Sequence, residues 1–209
     1  CRLIRSGTAF ASSLFFDRSR SNFRKKNEAF NSPGNLTIVT VSEWLGNIIQ
    51  DSFLAKHPIR VINNGIDLEL FTPADDRYSI KRKIGVYDRQ ILLGVASKWD
   101  KRKNLDDYLR LRAVLSEDYV IVLAGLDLKT IKMLPPGVIG LERTESVEEL
   151  KDLYSAADIV LNLSTLESFG LTTVEGLACG TPSIVYNVTA SPELISPETG
   201  IVVEAGHID

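Results

Sequence analysis

Two cysteines, two histidines and a single methionine are spread over 209 residues, so the chain has little material for disulfide or metal-thiolate chemistry. Cys1 and Cys179 stand at opposite ends of the sequence, which excludes a disulfide framework and makes a reducing, cytoplasmic setting the expectation. His57 precedes Pro58 in a loop and His207 lies in the last turn; neither has a companion at metal-ligand spacing. No apolar run approaches bilayer length, and the opening CRLIRS has none of the sustained apolar character of a leader. A strong excess of one charge is also missing. A net charge of −3 gives no footprint for nucleic acid, whose binding proteins concentrate basic residues. GxGxxG is absent, which argues against nicotinamide and flavin dehydrogenases, and the absence of GxxxxGK[ST] argues against a P-loop enzyme. There is no internal repeat and no low-complexity segment. The only methionine is Met133 and the first residue is Cys1, which together raise the expectation of a piece of a longer chain.

What is present is an ordinary globular balance, 44% hydrophobic and 24% charged. A helix is expected from Asp17, as N-cap, to Phe30, followed by a turn at 32–35 and a β-branched strand at 36–41. Ser42 should cap a helix running to about 54 with Trp44, Leu45, Ile48, Ile49 and Phe53 inward, and 59–62 reads as a short strand. Residues 66–87 read as a linker with one helix at 78–84. Beyond it the alternation is regular. Strands are predicted at 91–96, 119–124, 137–141, 159–163, 183–186 and 201–203, and helices at 105–115, 128–133, 147–156 and 171–179. Near-continuous apolar strands alternating with helices predict an α/β fold whose parallel sheet is covered on both faces.

Two loops carry candidate chemistry. The first is within STLESFGLTTVEGLACGTP at 164–182. A strand ends, a loop carries Glu167, and a helix begins near Leu171. In a parallel sheet ligands bind at the carboxyl ends of strands. The unpaired first-turn amides of the helix suit a diphosphate, and Gly170 lets the backbone approach it. Glu167 and Glu175 are of the wrong sign for phosphate but can accept from hydroxyls, which a nucleotide sugar carries at both ends. Taken alone, the two glutamates would be a loop carboxylate and a solvated helix residue. The second loop, Ser97 to Leu105, holds Lys98, Lys101, Arg102 and Lys103, four cations in six residues. It is either a solvated basic loop or a diphosphate site, with lysine acting as a point charge.

The 164–182 string resembles the EX7E motif of family-four glycosyltransferases, the large retaining GT-B group also called glycosyl transferases group 1. Glu167 and Glu175 have seven residues between them, and Asn162, Cys179, Gly180, Thr181, Pro182, Pro192 and Glu193 strengthen the likeness. Lys98 and Lys103 fit the family's two basic places five residues apart, with Ser97 where a glycine is usual. Asn64-Gly65-Ile66-Asp67 with Phe71 and Pro73, by itself a turn, is similar to the string marking the family's crossover between domains. The chain departs from the pattern where Thr189 and Ala190 replace a frequent Gly-Gly, and where Leu163 replaces a common proline.

The resemblance implies a GT-B type fold. Residues 1–70 would be the C-terminal part of the acceptor-side domain, 71–90 the linker, and 91–209 a Rossmann-like donor domain truncated at its end. It implies hexose transfer from a nucleoside diphosphate sugar to a glycan or lipid-linked acceptor, with retention, no cofactor and no metal requirement. Glu167 would be the catalytic carboxylate at the donor sugar. Amides of Ser168, Phe169, Gly170 and Leu171 would meet sugar and phosphate, Glu175 the ribose, and Lys98 and Lys103 the diphosphate. The piece alone would be inactive in transfer. A nucleotide-sugar epimerase and a non-catalytic nucleotide-sugar-binding module stay open. Arg18, Arg20, Arg24, Lys25 and Lys26 form either a solvated face or a patch for peripheral contact with an anionic membrane.

Overall fold

The computed structural model describes residues 18–208 and divides the chain into two compact units, one ending at Ile62 and one starting at Asn63. In the first unit, helix α1 (Ser19–Asn31) has no buried residue, and its expected cap, Asp17, lies outside the described residues. Strand β1 (Ile38–Thr40) pairs in parallel with β2 (Ile59–Val61), Ile38 opposite Ile59. Between them runs α2 (Glu43–Gln50), capped as expected: Ser42 Oγ accepts from the Leu45 amide at 3.2 Å. The Phe53 ring meets Phe23 of α1 edge-on, but Ile48, expected inward, is exposed.

The second unit opens with α3 (Arg77–Lys83) and then alternates strictly. Its elements are β3 (Gln90–Val95), α4 (Leu105–Val114), β4 (Tyr119–Ala124), α5 (Leu128–Ile131), β5 (Val138–Leu141), α6 (Val147–Ala156), β6 (Ile159–Asn162), α7 (Leu171–Ala178), β7 (Ser183–Tyr186), a 3-10 turn (Ser191–Leu194) and β8 (Gly200–Val203). All six predicted strands are present and form one parallel sheet in the order β5-β4-β3-β6-β7-β8.

The apolar runs form strands because both faces of the sheet are covered. Alternate residues along β3 and β4 enter two different cores. Leu93, Val120 and Val122 join Val86, Tyr154 and Val160 on one face, and Leu92, Ile121 and Leu123 join Tyr108 and Tyr186 on the other. The stretch 71–90, expected as a linker, contributes Phe71, Ile80 and Val86 to the first of these cores.

The chain leaves β3 towards β4 on one side and returns to β6 on the other, with Leu92 opposite Ile159. The carboxyl ends of β3 and β6 therefore lead into loops that diverge, and a crevice opens between them. At the amino ends of the same strands, α3 is tied down by charge. Asp158 accepts from Arg77 Nη2 at 2.7 Å, from Lys81 Nζ at 2.6 Å and from the Ile91 amide at 2.8 Å. The Lys81 side chain is only 6% exposed; Asp158 supplies its counter-charge, and the Arg89 carbonyl accepts from the same ammonium at 3.2 Å. Asp158→Ala strands a buried ammonium and should cost about 3 kcal/mol in urea unfolding. A loss well under 1 kcal/mol would show that water reaches Lys81 and that the triad contributes little.

Candidate functional site

Both candidate loops descend into the β3–β6 crevice and are stitched together there. After β3, Trp99 anchors the basic loop: its Nε1 donates to the Ala124 carbonyl at 2.9 Å and its ring meets Tyr108 edge-on. Asn104 then turns the chain in the left-handed region, φ 55°, as it enters α4. Its amide nitrogen Nδ2 donates to the Leu163 carbonyl at 3.2 Å and to Asp107 Oδ2 at 2.6 Å. From the other loop the Thr165 amide donates to the Arg102 carbonyl at 2.8 Å.

These bonds carry Lys103 across to the loop after β6, where its Nζ donates to Glu167 Oε1 at 2.5 Å. The pair is partly sheltered, with side chains 24% and 13% exposed. A cavity of about 220 Å³ lies beside it, lined by Asn64, Lys103, Glu167, Ser168, Phe169, Gly170, Leu171 and Thr172. That is small for a ligand site, and its lining is a carboxylate, an ammonium and the start of α7. A slightly larger cavity, about 270 Å³, opens at the amino ends of β6 and β7 among Arg77, Asp158 and Cys179. It is the wrong end of a parallel sheet for a ligand, and Asp158 there is committed to Arg77 and Lys81.

Helix α7 begins without a side-chain cap. Gly170 has φ 109°, and a Cβ there would come within 3.0 Å of Leu194 Cδ1. Among the described residues, the backbone amides from Ser168 to Thr172 find no backbone acceptor. They form a run of donors at the positive end of the helix, open to an anion. Buried Asn162 holds the approach. Its Oδ1 accepts from the Ser164 amide at 3.3 Å, and its Nδ2 donates to Thr173 Oγ1 at 3.0 Å.

The remaining predicted residues stand apart from the cavity. Arg102 folds back on Asp100, with Nη2 to Oδ2 at 2.6 Å. Lys98 is exposed and forms no ion pair among the described residues. Glu175, one turn into α7, does not line the cavity; it accepts from the Tyr154 hydroxyl of α6 at 2.7 Å. Burial pushes the Glu175 carboxyl above its ordinary range, and the Tyr154 hydrogen bond only partly opposes this. Thr189, after β7, meets the site through the Glu167 backbone amide, which donates to its Oγ1 at 2.9 Å. Sequence reasoning misses Tyr154, Asn104 and Thr189 as site residues. Their contribution is set by long-range contacts, and the signal for Thr189 was its standing at a place where glycine is usual. Among the described residues no group of three or more His, Cys, Asp or Glu could hold a metal ion, and no helix is long and apolar enough to cross a membrane.

The family model described as "Glycosyl transferases group 1" matches residues 76–209. A D-inositol 3-phosphate glycosyltransferase of Corynebacterium jeikeium is 28% identical over 194 residues, 83% of this chain and 46% of that protein. One from Mycobacterium sp. (strain KMS) is 33% identical over 162 residues, 71% of this chain and 36% of that protein. The chain thus spans less than half the length of these relatives. Among solved structures, sucrose-phosphate synthase from Thermosynechococcus elongatus matches with TM-score 0.75 at 20% identity, over 93% of this chain and 52% of that one. Anabaena HepE in complex with UDP and glucose matches with TM-score 0.74 at 21% identity, over 91% and 55%. At these identities the structural matches show the fold: α/β, of the GT-B type.

A carboxylate whose folded pKa is raised destabilises the folded state while it is charged. The penalty is fully present above the folded value and vanishes below the unfolded one. Glu175→Gln keeps an acceptor for Tyr154 and removes the charge. The variant should therefore be more stable than the parent at pH 7 to 8, the gap closing as the pH falls towards about 4. Urea midpoints measured across that range check this; a gap independent of pH would refute it.

Proposed function

The chain belongs to the glycosyl transferases group 1, and from that premise we propose that its second unit binds a nucleoside diphosphate sugar for retaining hexosyl transfer to a hydroxyl of a glycan or lipid-linked acceptor. One observation carries the reading. Lys103, Glu167 and the uncapped start of α7 converge on one cavity at the switch point of a parallel sheet. An ammonium and free helix amides suit a diphosphate, and a carboxylate beside them suits sugar hydroxyls. Anabaena HepE has been solved in complex with UDP and glucose and with UDP-glucose, which supports a nucleotide sugar as the donor class.

In this reading Lys103 has a double task. Its ammonium has three donors and spends one on Glu167, so two remain for phosphate oxygens. Lys98, exposed on the same loop, adds a second cation when the diphosphate arrives. These charges and the α7 amides stabilise the negative charge that develops on the leaving diphosphate. Glu167 accepts from hydroxyls of the donor sugar at the reacting end, and Glu175 from the ribose at the other. Such a role for Glu175 fits a carboxylate kept partly buried against its own preference.

A thermal-shift and calorimetry panel of UDP-, GDP- and ADP-sugars tests the class. The chain should bind a nucleoside diphosphate more tightly than the monophosphate of the same base. Lys103→Ala should weaken the diphosphate about tenfold to a hundredfold, the value of one charge-assisted contact. Equal affinity for mono- and diphosphate would remove Lys98 and Lys103 from the phosphate site. Glu175→Ala should weaken the bare nucleotide, whereas Glu167→Ala should mainly reduce the preference for nucleotide sugar over nucleotide. Equal damage to bare nucleotide by both would show these roles to be wrong.

A further inference from the structure

Thr189 is held where threonine does not belong. Its φ is +52°, in the left-handed region, where a β-branched side chain is a genuine outlier and glycine fits without strain. Strain of this kind persists only where surrounding contacts enforce it, and it concentrates at functional sites. Here those contacts are with Glu167. The Glu167 amide donates to Thr189 Oγ1 at 2.9 Å, and the Glu167 carbonyl accepts from the Ala190 amide at 3.4 Å. Further along, Leu194 stands so close to the start of α7 that a Cβ on Gly170 would come within 3.0 Å of its Cδ1. The loop after β7 thus grips the loop after β6 at both polar groups of one residue. A glycine at 189 would satisfy the backbone but would remove one side of that grip.

We infer that Thr189 is a positioning residue, which fixes the backbone of Glu167 so that its carboxylate stands beside Lys103, and that the left-handed strain is retained for this hydroxyl. The inference rests on the assignment of Glu167 to the donor sugar. Its signature is an opposition between stability and function. Removing the side chain relieves strain while loosening Glu167, so the fold should not suffer although the site does. A hydroxyl that merely satisfied a buried amide would do the reverse, lowering stability and leaving ligand preference intact.

The test uses the 209-residue chain and its variants Thr189→Gly, Thr189→Val, Thr189→Ser and Glu167→Ala. Calorimetry with UDP, GDP and ADP and with UDP-glucose, GDP-mannose and ADP-glucose gives, for each base, the ratio of nucleotide Kd to nucleotide-sugar Kd. Thermal unfolding gives the midpoint. Glu167→Ala should bring the ratio close to one. Thr189→Gly and Thr189→Val should each lower it about threefold to tenfold with bare-nucleotide affinity unchanged, the scale of one hydrogen bond. Thr189→Ser should keep the parent's ratio, and Thr189→Gly should unfold no lower than the parent. A parent ratio in both Thr189→Gly and Thr189→Val, beside a reduced one in Glu167→Ala, overturns the positioning role alone. An unchanged ratio in Glu167→Ala, or no binding of any probe by the parent, overturns the reading of Glu167 and the role of Thr189 with it.

Discussion

The rest of the site hangs on the pairing of β3 with β6. These strands are neighbours in the sheet, Leu92 opposite Ile159 and Leu93 opposite Val160, although 67 positions separate them. Between them the chain visits β4 and β5 and returns through α6 to the other side of β3. The reversal brings two distant loops to one place and keeps any helix from covering the gap between them. Three bonds then use that proximity: Asn104 to the Leu163 carbonyl, Thr165 to Arg102, and Lys103 to Glu167; a fourth, Glu167 to Thr189, follows instead from the pairing of β6 with β7. Each is a local consequence of a strand pairing that sets distant loops side by side.

Two cations of the basic loop are neutralised within the site, while Lys98 is exposed and forms no ion pair among the described residues. Lys103 is neutralised by Glu167, and Arg102 by Asp100. Asp107, at the start of α4, is pushed up by burial, but hydrogen bonds from Tyr186, Asn104 and Arg110 outweigh this and hold it below its ordinary value. Glu175 is the exception. It has one hydroxyl for a partner, and burial prevails. A carboxylate left in that condition weakens the fold at neutral pH.

Much of the second unit is legible in the residues themselves. Apolar runs such as Tyr119–Ala124 and Ser183–Tyr186 declare strands because both faces of the sheet are buried, and α6 starts at Val147 as expected, where the structure adds a cap from Ser146. The first unit is less legible. Its predicted strand at 36–41 shrinks to three residues, the length of β2, its one partner among the described residues. In the site, the sequence points to the loops of 98–103 and 167–171, and the structure lines one cavity with Lys103 and residues 167–171 while leaving Lys98 and Glu175 off it. What no local pattern carries is partnership across distance. Lys103 and Glu167 lie 64 residues apart, and Glu175 meets Tyr154 from another helix.

Backbone strain marks the site independently of charge. Among the described residues only two that are not glycine have positive φ, Asn104 and Thr189. Asn104 immediately follows Lys103, and Thr189 accepts from the amide of Glu167. The two strained positions thus stand beside the two members of the central ion pair, Asn104 next to Lys103 on its own loop and Thr189 on the loop after β7, across from Glu167. Glycine would serve the backbone at either place at lower conformational cost, and both residues instead contribute a side-chain hydrogen bond to the opposing loop. Asparagine tolerates the left-handed region, and threonine does not, so the larger strain falls on the Glu167 side. That asymmetry is what a site requires if its cation can follow a phosphate on a flexible stem while its carboxylate must meet a sugar hydroxyl at one fixed point. Lysine reaches by its own length; glutamate in a loop is placed only as well as its backbone is held.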